Sequence, residues 1–237
     1  MFEINPDHKV TIDKAGDRTV VIIDDFYKNP DEVRDLALAS KSERRPNLIQ
    51  GLPGSRVYLE NQRQELLKNI KPIFDKYCLS NIWSMVTDRR PYEEKWSQIG
   101  FMSNIMDDES VLQEPWLCIP HQDFYKTTPL GSGALSQFGV VVYLNTPDEC
   151  SGGTNLYSYE GMQSLPYAVT DFVPPPSHYD PSKLNTCGDV YKFIREWLYA
   201  EKEWKVEYEI EMVYNRCAFY EADNLHSYNI ENFFSFF

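Results

Sequence analysis

The most regular stretch of the chain is "EWKVEYEIEM", where Trp204, Val206, Tyr208, Ile210 and Met212 alternate with Lys205, Glu207, Glu209 and Glu211. A period of two puts the apolar side chains on one face and the charged ones on the other, which predicts a half-buried β-strand. "QFGVVVYLN" is a strongly β-prone run that gives way to the turn chemistry of "NTPDECSGGT". Nearer the N-terminus, Val20 to Asp24 read as a buried strand followed by a capped helix. Asn29 suits the N-cap, Pro30 the first helical position, and Asp31 and Glu32 complement the helix dipole. A second helix is predicted in "NQRQELLKNIKPIFDKYC", with Leu66, Leu67, Ile70, Ile73 and Phe74 on one face and a kink at Pro72.

Weaker signals complete the outline. "LIQGLPGSRVY" carries turn residues, "KWSQIGFMSNIM" alternates loosely, "GDVYKFIREWLYAEK" reads as a helix, and "RCAFYEADNLHS" reads as a strand and turn closed by His226. Residues 160–188, rich in proline and without period, read as a long loop of the kind that serves function. Helices early and strands late predict an α+β chain, with helices buttressing an antiparallel sheet pair or barrel. One domain over residues 1–237 is expected, divided into supporting elements (1–95) and a β core (96–237).

Composition narrows the function classes. Thirty-six acidic residues against 23 basic ones give a net charge of −13, a surface that repels phosphate backbones, so nucleic acid is not an expected partner. Nothing approaches the ~20 apolar residues of a membrane span, and "MFEINPDHKV" lacks the form of a signal peptide. Cys78, Cys118, Cys150, Cys187 and Cys217 are scattered without CxxC spacing, which favours a reduced, cytoplasmic setting over disulfides or structural zinc.

The candidate chemistry lies in "IPHQDFYKTT". On a strand, His121 and Asp123 project to the same side and can converge on one ion. A hydrogen-bonded pair at a strand end is the plainer alternative. His8 lies in a polar N-terminal tail and His178 in the proline-rich loop, which leaves His226 as the best third ligand. Two histidines and one carboxylate leave three metal positions open, the arrangement of non-haem Fe(II) oxygenases. About a hundred residues separate Asp123 from His226, enough to span several strands.

HxD, then "VVVYLNTPDECSGGTNLY", then a distal histidine in "NRCAFYEADNLHS", together resemble the 2-oxoglutarate- and Fe(II)-dependent dioxygenases, particularly the prolyl-hydroxylase-like branch. The early "VVIIDDFYKNPDEVRDLA" resembles the strand and helix with which many of these enzymes open. The resemblance covers roughly residues 19–39 and 96–230. It implies a double-stranded β-helix, or jelly-roll barrel, with supporting helices. It also implies His121, Asp123 and His226 as metal ligands, with Fe(II), 2-oxoglutarate and dioxygen as the reacting partners. The products would be succinate, carbon dioxide and a hydroxylated small molecule or peptide. Retention of Asp123 separates the chain from the halogenase variant. Thr154 matches a position that often contacts 2-oxoglutarate, or it simply opens the next strand. Tyr143 and Asn145 line the pocket or pack.

The pattern breaks at one point. The family usually sets an Arg or Lys about ten residues beyond the distal histidine, whereas "HSYNIENFFSFF" holds none. Either a further strand belongs to the native chain, or Arg216, Lys126 or Arg56 substitutes, or the metal works without 2-oxoglutarate. A non-catalytic, cupin-like binding barrel is the alternative to an enzyme. Oligomeric state and substrate identity do not follow from the residues.

Overall fold

In this computed structural model the described residues are 1–39, 45–46, 55–58, 60–77, 102–105, 120, 138–159, 180–186, 188–190, 192–193, 196, 204–221 and 224–233. The strands in chain order are β1 (Lys9–Ala15), β2 (Arg18–Asp24), β3 (Arg45–Pro46), β4 (Ser55–Tyr58), β5 (Met102–Ile105), β6 (Phe138–Val142), β7 (Cys150–Tyr159), β8 (Trp204–Glu211), β9 (Cys217–Glu221) and β10 (Leu225–Phe233). Two longer helices, α1 (Pro30–Ala39) and α2 (Arg63–Tyr77), precede most of them. The chain is α+β, as its pattern predicts. No helix among the described residues is long and apolar enough to cross a membrane.

Every strand pairing is antiparallel. One sheet has the order β1-β2-β9-β6, a second the order β10-β7-β8, and a small third the order β3-β4-β5. Residues directly opposite in neighbouring strands share a face, so register assigns the layers. Val20, Ile22, Ala218 and Tyr220 turn one face of the four-stranded sheet toward Leu156 and Ile210 of β7 and β8, forming a core between the two sheets. The opposite face presents Val21, Ile23, Cys217 and Phe219 to Val33 of α1 and to Leu66, Ile70, Ile73 and Phe74 of α2. The layers therefore run helices, four-stranded sheet, three-stranded sheet. At about 25 cal/mol per Å², these two apolar interfaces are the main source of stability.

Ion pairs and hydrogen bonds tie the helical layer to the strands. Arg34 of α1 pairs with Glu149 just before β7, and the Tyr214 hydroxyl donates to Asp31 in the first turn of α1. Burial, then the Asp31 carboxylate, push the Tyr214 hydroxyl up to about 12.

Asn215 makes the tightest of these links. Its backbone is left-handed (φ 63°), a conformation that asparagine tolerates well. Its side chain accepts from Tyr27 N–H and donates to Tyr27 C=O, both at 2.8 Å, while its own carbonyl accepts from Phe26 N–H. Asn215→Ala leaves a buried N–H and C=O of Tyr27 without partners. The expected loss is about 2–4 kcal/mol, read as a lower denaturant midpoint with an unchanged slope. An unchanged midpoint would remove Asn215 from the architecture of this junction.

Three sequence expectations are corrected. The N-terminal segment is not a tail, because Lys9–Ala15 pairs with β2 along its full length across a turn at Gly16 (φ 63°). "CAFYEADNLHS" is not one strand: β9 and β10 lie in different sheets, and His226 belongs to the second. The β8 face is split as well. Leu156 pairs Tyr208 while Tyr157 pairs Val206, so Glu207 is an extra residue. Such a bulge reverses which side faces the core. Tyr208 and Ile210 point between the sheets, while Trp204 meets Tyr157 edge-to-face on the outer side, ring centroids 6.0 Å apart.

Candidate metal centre between the sheets

β10 begins one residue after Asn224 and pairs at once with β7, His226 opposite Leu156 and Tyr228 opposite Thr154. Leu156 is part of the inter-sheet core, so His226 faces the same interior. It is buried, with 6% of its surface exposed. Its Nδ1 lies 2.9 Å from the carbonyl oxygen of Asn224. A carbonyl only accepts, so a proton sits on Nδ1; a ring with that single proton, the Nδ1–H tautomer, has its lone pair at Nε2. That tautomer and that backbone bond are what a metal-binding imidazole requires. From the facing sheet, Tyr220 meets the imidazole with ring centroids 4.9 Å apart.

Thr154 lies two residues from Leu156 on the same face, one strand repeat along from His226. Its hydroxyl shares a 2.7 Å hydrogen bond with the Tyr143 hydroxyl, and both side chains are buried. Burial raises the Tyr143 hydroxyl well above the ordinary tyrosine value, against the opposing pull of the Thr154 bond. The phenol is therefore a neutral donor or acceptor at any physiological pH.

Arg216 follows in the same direction. Its carbonyl accepts from Tyr143 N–H, and its guanidinium forms a fork with Asp24, Nε to Oδ1 at 2.6 Å and Nη2 to Oδ2 at 3.1 Å. The Asp24 bond, working against burial, raises its pKa further. Arg216 is thus fixed at one end of the interior, with the Asp24 carboxylate in its fork and the Glu211 carboxylate 3.7 Å from Nη1. Bidentate pairing of this kind is geometrically specific.

The structure brings His226, Thr154 and Tyr143 onto one interior and places Arg216 next to Tyr143. His121 and Asp123 lie outside the described residues, as do Lys126 and His178; beside them, Pro120 is buried. Among the described residues no three His, Cys, Asp or Glu side chains gather as a metal site, and His226 is the one expected ligand that can be placed. Asn145 packs its amide against Met212. Tyr157 bonds Ser227 and Asn155 on the outer face of the three-stranded sheet.

Sequence reasoning missed Tyr220 as a neighbour of His226. The only available signal was the apolar–aromatic alternation of "CAFYE", which assigns Ala218 and Tyr220 to the face opposite Cys217 and Phe219.

The model of one protein family, described as a family of unknown function (DUF6445), matches residues 5–166. The match takes in His121, Asp123 and Thr154 and stops before His226. No curated protein and no solved structure matches the chain.

Proposed function

The chain belongs to the DUF6445 family, and we propose that it is a non-haem Fe(II)- and 2-oxoglutarate-dependent oxygenase that hydroxylates a small molecule or a peptide side chain. One observation carries the proposal: the distal histidine of the sequence motif is buried between two sheets, with Nδ1 bonded to a backbone carbonyl.

Strand order supports it. The chain pairs β7 with β8 in one sheet, crosses to β9 beside β6 in the other, and returns to β10 beside β7. A two-sheet jelly roll follows this Greek-key path. β10 and β6 are edge strands among the described residues. The proposed site requires His121 and Asp123 to meet His226.

When bound, Fe(II) with 2-oxoglutarate supplies the activation of dioxygen and couples decarboxylation to hydroxylation. The chain does the rest. Nε2 of His226 holds one metal position, and His121 and Asp123 hold two more. The Asn224 carbonyl fixes the imidazole in its ligating tautomer. The Tyr143–Thr154 hydroxyl pair offers hydrogen bonds to the co-substrate carboxylate one strand repeat away. Arg216, beyond Tyr143, supplies positive charge shared with Asp24. Leu156, Ile210, Val20 and Ile22 keep water from the interior. The acidic surface and scattered cysteines go with a reduced, cytoplasmic setting.

A second reading, a cupin-like barrel that binds metal without turnover, is favoured by the engagement of Arg216 with Asp24. Anaerobic titration separates the two. The oxygenase shows a weak visible charge-transfer band only when Fe(II) and 2-oxoglutarate are both present, and then releases succinate on admission of oxygen. Metal binding without the band selects the barrel, and no metal binding rejects both.

A further inference from the structure

We infer that Tyr220 is a positioning residue for His226, and that Gly139 is glycine so that the Tyr220 ring can take this place. Gly139 and Tyr220 are directly opposite on β6 and β9. A Cβ on Gly139 would lie 2.5 Å from Cε2, 2.6 Å from Cζ and 2.9 Å from the hydroxyl oxygen of Tyr220. The ring therefore lies across the glycine and occupies the space of the missing side chain, as aromatics do over cross-strand glycines.

From there it reaches His226 of the facing sheet, with centroids 4.9 Å apart and planes at 58°. Tyr220 is itself buried. Two of the contacts that hold the imidazole are thus in view among the described residues. The Nδ1–H bond to Asn224 sets which nitrogen carries the proton, and the tyrosine ring limits rotation about the side-chain torsions. Loss of a group that orients a ligating histidine typically costs roughly 10- to 100-fold in metal affinity. No hydroxyl chemistry is assigned to Tyr220. The contribution assigned to Tyr220 is its ring contact with His226, which phenylalanine keeps.

Two arms test the inference. The first uses metal-free protein labelled with nitrogen-15 at histidine, so it does not depend on the oxygenase reading. The expected result is a His226 resonance pair (identified by its loss in His226→Gln) in the Nδ1–H tautomer, with a slowly exchanging proton. Tyr220→Phe preserves that pattern, while Tyr220→Leu and Gly139→Ala give tautomer averaging and fast exchange.

The second arm rests on the proposed function and measures Fe(II) affinity, expected to fall roughly 10- to 100-fold in Tyr220→Leu and Gly139→Ala but not in Tyr220→Phe. Adding Gly139→Ala to Tyr220→Leu should cause little further loss, because the ring that the new methyl displaces is gone. Fast exchange in the unmodified protein, or an unchanged His226 signal in Tyr220→Leu, overturns the inference even if other variants fail to fold. An unmodified protein that binds no iron rejects the oxygenase reading and leaves the first arm to decide the role of Tyr220.

Discussion

His226→Ala and Asp123→Ala are each expected to lose retained iron and to lower 2-oxoglutarate turnover by about 100-fold or more, since each removes one of the three protein ligands of the proposed site. The measurements are iron per chain after anaerobic loading and succinate released per minute. His8→Ala is the matched control. Its imidazole bonds the Asn5 carbonyl and the Tyr77 hydroxyl near the N-terminus, in contact with α2, so its removal should leave both readings unchanged. Unaltered succinate release in Asp123→Ala would contradict the ligand assignment directly. A loss confined to His226→Ala, with Asp123→Ala unaffected, would point to a different third ligand on β10's neighbour.

Gly153→Ala should be the most destabilising single change in the sheet core. The residue sits within β7 at φ 151°, a backbone conformation that L side chains rarely adopt. Its missing Cβ would lie 1.8 Å from the Ile210 carbonyl oxygen. That atom is backbone and cannot swing aside, so β7 and β8 must separate. Backbone strain plus a lost pairing amounts to about 3–5 kcal/mol, or roughly 10 °C in the melting temperature of a domain this size. Thermal unfolding by circular dichroism gives the answer. A melting temperature within a degree or two of the parent would mean that the β7–β8 register differs from the one described. The same substitution displaces Thr154, so the oxygenase reading expects weaker 2-oxoglutarate binding in whatever fraction remains folded.

Much of the scaffold was legible because its signals are local. The capping signals of α1, the apolar face of α2, the run at Val20 to Asp24 and the β propensity of "FGVVV" all depend on near neighbours, and the elements they predict are found at those positions. What failed depended on distant contacts. A bulge at Glu207 is decided by how β8 meets β7, and nothing in "EWKVEYEIEM" itself marks the point where the face reverses. The corner between β9 and β10 is invisible to a two-residue period, because both segments are strand-like and only the sheet each joins distinguishes them. β1 was missed for a different reason. It is an edge strand with mostly exposed side chains, Lys9, Asp13 and Lys14 among them, so it shows little of the alternation that burial enforces.

The candidate site divides along the same line. The motif points to His226, and the structure places it buried between the sheets. Its tautomer, its aromatic neighbour and the glycine beneath that neighbour come from three strands and two sheets, so no window of sequence holds them together. Arg216 shows the opposite case. Sequence offers it as a free cation, whereas Asp24, 192 residues away, already fills its fork.

The central claim is that His226 shares one ferrous ion with His121 and Asp123 in the inter-sheet interior. It is tested most directly by a crystal structure grown without oxygen in the presence of Fe(II) and 2-oxoglutarate. The account predicts a single ion bonded to Nε2 of His226, to the His121 imidazole and to the Asp123 carboxylate, with the 2-oxoglutarate carboxylate reaching toward Thr154 and Tyr143. An ion bound elsewhere, or a His226 ring turned away from His121 and Asp123 with no ion between them, would contradict it.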